Sequence, residues 1–96
     1  MKFTAAREKR ALMYKLKIKK SAQKEIDTLP DQIFIKVDKA ILSLKEDPFP
    51  FPQSKRLKGE NKCRLRAGDY RIVYTVNEEN KVITIFRVRH RKDVYR

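Results

Sequence analysis

The segment KCRLRAGDYRIVYTV, residues 62–76, leaves this chain little freedom. Polar and apolar residues alternate on both sides of Gly68-Asp69, the period-2 pattern of strands with one buried face. A Gly-Asp pair between two such runs predicts a two-residue hairpin turn, with Gly68 supplying the positive φ. That turn sets the register: Ala67 pairs with Tyr70, so Arg66 faces Arg71, Arg64 faces Val73 and Lys62 faces Thr75. Partners across an antiparallel ladder share a face. Lys62, Arg64, Arg66 and Arg71 therefore project from one side of the sheet. A three-residue turn would send Arg71 to the other side.

Like charges set opposite one another cost stability. Two readings of the aligned cations remain: a solvated sheet face, or a cradle for phosphate. Arginine binds phosphate oxygens in pairs, and lysine supplies a point charge and a titratable amine. Whole-chain charge favours a polyanionic partner. Residues 1–54 carry twelve basic and seven acidic side chains, net +5, and residues 55–96 carry thirteen and five, net +8. Charge of this size repels itself unless a polyanion is near. Nucleic acid comes first among partners, an acidic protein second and a membrane surface third.

The remaining elements follow from the same periodicities. YKLKIKK (14–20) alternates, with Tyr14, Leu16 and Ile18 on one face and Lys15, Lys17 and Lys19 on the other, and reads as a half-buried strand. Ser21 is the expected N-cap of a helix whose stripe is Ala22, Ile26 and Leu29. Pro30 closes that helix or opens a second, which runs from Asp31 to about Glu46 with Ile33, Val37, Ala40, Ile41 and Leu44 on one face. DPFPFPQ (47–53) is expected to be an extended loop pinned to the core by Phe49 and Phe51. After the hairpin, NEEN (77–80) reads as a turn and KVITIFRVRH (81–90) as a last strand. That strand and its end add Arg87, Arg89 and Arg91, whose faces depend on the length of the NEEN turn. The order β-α-α-β-β-β predicts an α+β fold: an N-terminal strand, a helical hairpin, then an antiparallel three-stranded meander with both helices on one face.

Ninety-six residues make one domain. Residues 1–12 read as an N-terminal extension, either upstream of a start at Met13 or a short surface helix, and 13–96 as the folded unit. Cys63 is the lone cysteine, so an internal disulfide is excluded, and it is expected as a small buried apolar residue. The N-terminus has no continuous apolar run of the kind a secretion signal needs, and no stretch of apolar residues suits a membrane span. A cytoplasmic protein with no membrane partner is expected.

RLRAGDYRIVY (64–74) followed by FRVRHRKDVY (86–95), with L-K-G at 57–59, resembles the RelE/ParE superfamily of bacterial and archaeal toxins. The likeness runs in element order from Tyr14 to Tyr95. It implies a small antiparallel sheet packed on a helical hairpin. RelE-type members are ribosome-dependent endoribonucleases that cut messenger RNA in the A site and are silenced by an antitoxin that wraps around them. ParE-type members share the fold and poison DNA gyrase. On the residues matched here the resemblance favours the RelE branch: basic side chains at Lys62 and Arg64, Arg71 within the next strand, then Arg91 and Tyr95. Arg64 stands where some members have lysine, and His90 where certain relatives place a catalytic histidine. The partners implied are a cognate antitoxin, the ribosomal A site and messenger RNA. No cofactor and no metal is implied.

RNA can be cut by its own 2′-OH attacking the adjacent phosphate, given a base, an acid and cations for the developing charge. Neighbouring cations favour a neutral lysine, so Lys62 beside Arg64 and Arg66 is the expected base. Arg71 and Arg91 are the expected charge stabilisers. Tyr95 is expected to stack on a base or assist proton transfer, and His90 competes as acid or base. Lys58, Arg64, Arg66 and Arg89 are the expected RNA contacts. A gyrase inhibitor of the same fold and a passive nucleic-acid-binding module are the alternatives.

Overall fold

The computed structural model describes residues 13–59 and 61–94. Residues 1–12 and Tyr95, both subjects of expectations above, lie outside them. The described residues form β1 (Lys15–Ile18), α1 (Lys20–Asp27), α2 (Asp31–Ser43), β2 (Ser54–Arg56), β3 (Cys63–Ala67), β4 (Tyr70–Asn77), β5 (Val82–His90) and the short α3 (Arg91–Val94). The strands make one sheet in the order β1-β5-β4-β3-β2. This is the expected α+β architecture with two additions. β1 pairs with β5 in parallel, Leu16 beside Ile83 and Ile18 beside Ile85. A three-residue strand, β2, extends the far edge by pairing antiparallel with β3. Both follow from the path of the chain. From β1 it crosses one sheet face as two helices, enters at the far edge, and meanders back until β5 reaches β1.

The hairpin has the register that the Gly-Asp turn dictates. Ala67 pairs with Tyr70, Arg66 with Arg71, and Arg64 with Val73. Gly68 sits at φ 61, the left-handed region that glycine enters without a steric cost. Alternation then sorts the side chains. Leu65, Ile72, Tyr74, Ile83, Ile85 and Val88 turn to the helices, where they bury with Ala22 and Ile26 of α1 and with Val37, Ile41 and Leu44 of α2. Cys63 is buried in the same core with a free thiol.

Three local expectations fail for identifiable reasons. Lys19, not Ser21, precedes the first helical residue. The Ser21 hydroxyl instead donates to the Phe86 carbonyl at 3.1 Å, tying α1 to the edge of β5. Phe49 and Phe51 do not pin the 47–53 loop, being 42% and 91% exposed. Tyr74 of the central strand does that from within the core. Its hydroxyl donates to the Pro48 carbonyl at 2.8 Å and shares a hydrogen bond with the Ser54 hydroxyl. The second helix ends at Ser43, and Leu44 to Glu46 continue as turns.

β5 carries one irregularity with consequences for the charged face. Val73 pairs with Arg87 while Tyr74 pairs with Ile85, so Phe86 is an extra residue in β5. Such a bulge shifts the alternation by one position. Ile83 and Ile85 point inward before it and Val88 after it, which leaves Phe86 and Arg87 side by side on the outer face.

Candidate functional site

The sheet face away from the helices is an array of cations. Across β2, β3, β4 and β5 one row reads Lys55, Arg64, Val73, Arg87. The next row reads Arg66, Arg71, Arg89. β1 contributes Lys15 and Lys17, opposite Val82 and Thr84. Across the five strands there is not one Asp or Glu. A face this rich in positive charge, built on strands that carry no acidic residue, attracts polyanions over distances near the Debye length, about 8–10 Å.

At one end of the face lies an open cleft of about 450 Å³, lined by Arg66, Gly68, Asp69, Tyr70, Arg71 and Arg91. Three arginines from three segments meet there. Cross-strand pairing places Arg66 beside Arg71. Arg91 is brought in by the backbone: its N–H donates to the Asp69 carbonyl at 2.8 Å, which seats the start of α3 on the β3–β4 turn. Three guanidiniums around one opening suit an anion with several oxygens.

The other expected residues distribute as follows. Lys62 shares the face but stands outside the cleft, four positions before Arg66, roughly 13 Å along the strand. Its ammonium lies 4.9 Å from the ring centroid of Phe86. Arg64 occupies the row between them, half-buried. Lys58 is exposed in the loop from β2 to β3. His90 pairs with Tyr70 on the helix side of the sheet, their rings edge-to-face at 5.2 Å. Its Nδ1 accepts the Lys92 backbone N–H at 3.1 Å, so this nitrogen is committed as an acceptor. His90 lines two smaller clefts with Tyr70 and not the arginine cleft.

Arg89 lies in the Arg71 row, yet its guanidinium turns to the sheet edge. Glu25 of α1 holds it at 3.2 Å through Nε, and holds Arg87 at 3.0 Å through the same carboxylate oxygen. The other oxygen of Glu25 accepts the Val88 N–H at 2.8 Å. Sequence reasoning missed this anchor, because 62 to 64 residues separate the partners and no periodicity links them. It also missed Phe86. A signal for the bulge was present: inward residues are spaced by two at Ile83 and Ile85, then by three at Val88.

The chain is similar to known proteins in both sequence and fold. The family model for the ParE toxin of the type II toxin–antitoxin system parDE matches residues 16–95. The chain is 29% identical to the toxin RelG of Mycobacterium tuberculosis over 86% of its own length and 97% of the relative's. It is 30% identical to the putative toxin RelE1 of Methanocaldococcus jannaschii, with coverage of 88% and 98%. The crystal structure of the archaeal RelE–RelB complex from Pyrococcus horikoshii superposes with a TM-score of 0.74 at 31% identity, covering 82% of this chain and 96% of that one. The residues that place arginines around the β3–β4 turn thus lie in a chain that belongs to the RelE/ParE family of type II toxin–antitoxin toxins.

Proposed function

We propose that this toxin is a ribosome-dependent endoribonuclease that cuts messenger RNA in the A site. The observation that supports the reading is the convergence of Arg66, Arg71 and Arg91 on one cleft, which Asp69 also lines, at the end of a sheet whose strands carry no acidic residue. In the proposed reaction the 2′-OH attacks the adjacent phosphorus and the bond to the 5′-oxygen breaks. The products are a 2′,3′-cyclic phosphate and a 5′-OH. Arg71 and Arg91 stabilise the charge that gathers on the non-bridging oxygens, a contribution worth about 3–4 kcal/mol per well-placed donor in other enzymes. Lys62 is the candidate base, approaching along the same face, and Tyr95 the candidate stacking group. His90, set among the helices' side of the sheet, packs against Tyr70 and takes no direct part.

A cation-rich face whose cleft holds no paired general acid and base among the described residues suits an enzyme whose substrate is oriented by a larger scaffold. Orientation of that kind can supply about 7–11 kcal/mol of a barrier. The ribosome is the proposed scaffold. The proposed partner in the resting state is a cognate antitoxin, supported by the archaeal relative's structure being a RelE–RelB complex. An apolar groove of about 220 Å³ that includes Leu16, Ile18, Phe34 and Leu42 offers it a docking strip.

A second reading is inhibition of DNA gyrase without cleavage, favoured by the ParE description of the matching family model. One experiment separates the two. Purified protein is added to a defined translation complex and the 5′ ends of the message are mapped, with gyrase supercoiling assayed alongside. New ends within the A-site codon support the nuclease. Intact message with blocked supercoiling supports the second reading.

A further inference from the structure

Phe86 stands in the middle of the basic face. The bulge that puts it there is the one break in the β4–β5 ladder. Its ring is half-buried and draws two ammonium groups, Lys62 at 4.9 Å from the centroid and Lys19 at 5.7 Å. Those lysines come from opposite sides: Lys62 precedes β3, and Lys19 follows β1. Among the described residues neither makes an ion pair with a carboxylate; each leans on the ring's negative π-face instead. The arrangement is a flat aromatic surface with a cation on each flank, roughly 10 Å along β5 from the Arg71–Arg89 row.

We propose that Phe86 is a stacking platform for one unpaired nucleobase, with Lys19 taking a phosphate beside that nucleotide and Lys62 displaced from the ring. The inference rests on the RNA-directed reading above and gives it a second subsite, separate from the arginine cleft. A base offers a flat π-face, which an ammonium group lacks, and covers the ring more fully. When it stacks, both lysines move off the ring, Lys19 onto the RNA backbone. Lys62 is thereby released toward the strand of RNA that the cleft holds. Stacking of this kind reads no sequence, because every base has a π-face. The platform therefore adds affinity without setting a codon preference.

The test uses the full-length protein and two probes: a labelled single-stranded oligoadenylate, and a strand of the same length in which every nucleotide is abasic. Both carry the same phosphates. Fluorescence anisotropy gives the affinity for each, with wild type and with Phe86→Leu, which keeps an apolar side chain at the bulge. Wild type is expected to bind the oligoadenylate roughly tenfold more tightly than the abasic strand, within the range that base–aromatic stacking supplies. In Phe86→Leu that preference falls to near one while affinity for the abasic strand is unchanged. A preference that survives in Phe86→Leu overturns the proposal, as does an equal loss on both probes. The message-mapping experiment keeps the two ideas apart. A base preference that depends on Phe86 in a protein that never cuts leaves the platform standing and removes the nuclease. Normal cutting with no such preference does the reverse.

Discussion

The Glu25 carboxylate takes the place of a neighbouring strand beside Val88, accepting its backbone N–H at 2.8 Å. β1 covers β5 only as far as Ile85. Beyond that point α1 closes the edge: Lys19 N–H donates to the Ile85 carbonyl, the Ser21 hydroxyl to the Phe86 carbonyl, and Glu25 receives Val88. An uncovered edge strand offers unpaired backbone groups to any other chain. The same carboxylate also draws Arg87 and Arg89 away from the open face.

Glu25→Ala is therefore expected to lower stability by about 1–3 kcal/mol, since it leaves the Val88 N–H without its acceptor. Glu25→Gln keeps an acceptor and is expected to lose less than half of that. Both variants free two guanidiniums for phosphate. Single-stranded RNA binding should become more salt-dependent, the log–log slope steepening by about 0.7 for each cation released. Urea melts and binding titrations across a salt series check the two effects separately.

Tyr74 predicts an alkaline signature. Burial is the main cause that pushes its phenol from 10.0 up to about 12. The folded protein thus holds this proton more firmly than the unfolded chain. The stability involved is complete below pH 10.0 and is lost as pH rises through about 12. Tyr74→Phe is expected to cost about 1–3 kcal/mol at neutral pH, because the Pro48 carbonyl and Ser54 hydroxyl lose a buried partner. The difference in stability between wild type and variant should narrow across that alkaline window. Denaturant melts of both proteins at matched pH measure it.

Arg66 and Arg71 stand directly opposite each other. Removing one charge should relieve repulsion, so Arg66→Thr is expected to raise stability by about 0.2–1 kcal/mol. It should also weaken RNA binding, since one of the three arginines proposed to hold phosphate at the cleft is gone. Opposite signs for stability and affinity distinguish a functional cation from a structural one. Thermal melts and RNA titrations of a single preparation give both.

His90 sits against Tyr70 and not in the arginine cleft. His90→Phe preserves an edge-to-face ring pair and is expected to leave the cleavage rate within a factor of a few. A drop of about 10²–10⁴-fold, the usual worth of a positioned acid or base, would assign it a direct role.

The hairpin at Gly68-Asp69 could be read from the sequence because a two-residue turn admits one register, and that register aligned Arg64, Arg66 and Arg71. The two helices were equally plain, since stripes such as Val37, Ala40, Ile41 and Leu44 have one way to bury. β2 was not legible: Ser54, Lys55 and Arg56 carry no apolar alternation, and only pairing with β3 makes them a strand. Nor was the face of Arg87 and Arg89, because the Phe86 bulge resets the alternation and Glu25, far away in sequence, claims both side chains. Arg91 could be singled out by its neighbours but not placed, since its position depends on one backbone hydrogen bond to Asp69.

The central claim is that Arg71 and Arg91 act together on one phosphate. Its most direct measurement is the single-turnover rate of message cleavage in a reconstituted A-site complex, with wild type, Arg71→Ala and Arg91→Ala, each shown by circular dichroism to be folded. Wild type is expected to cut within the A-site codon, and each variant to be slower by roughly 10²–10³-fold, as for loss of one charge-stabilising donor. Folded variants that cut at the wild-type rate would contradict it.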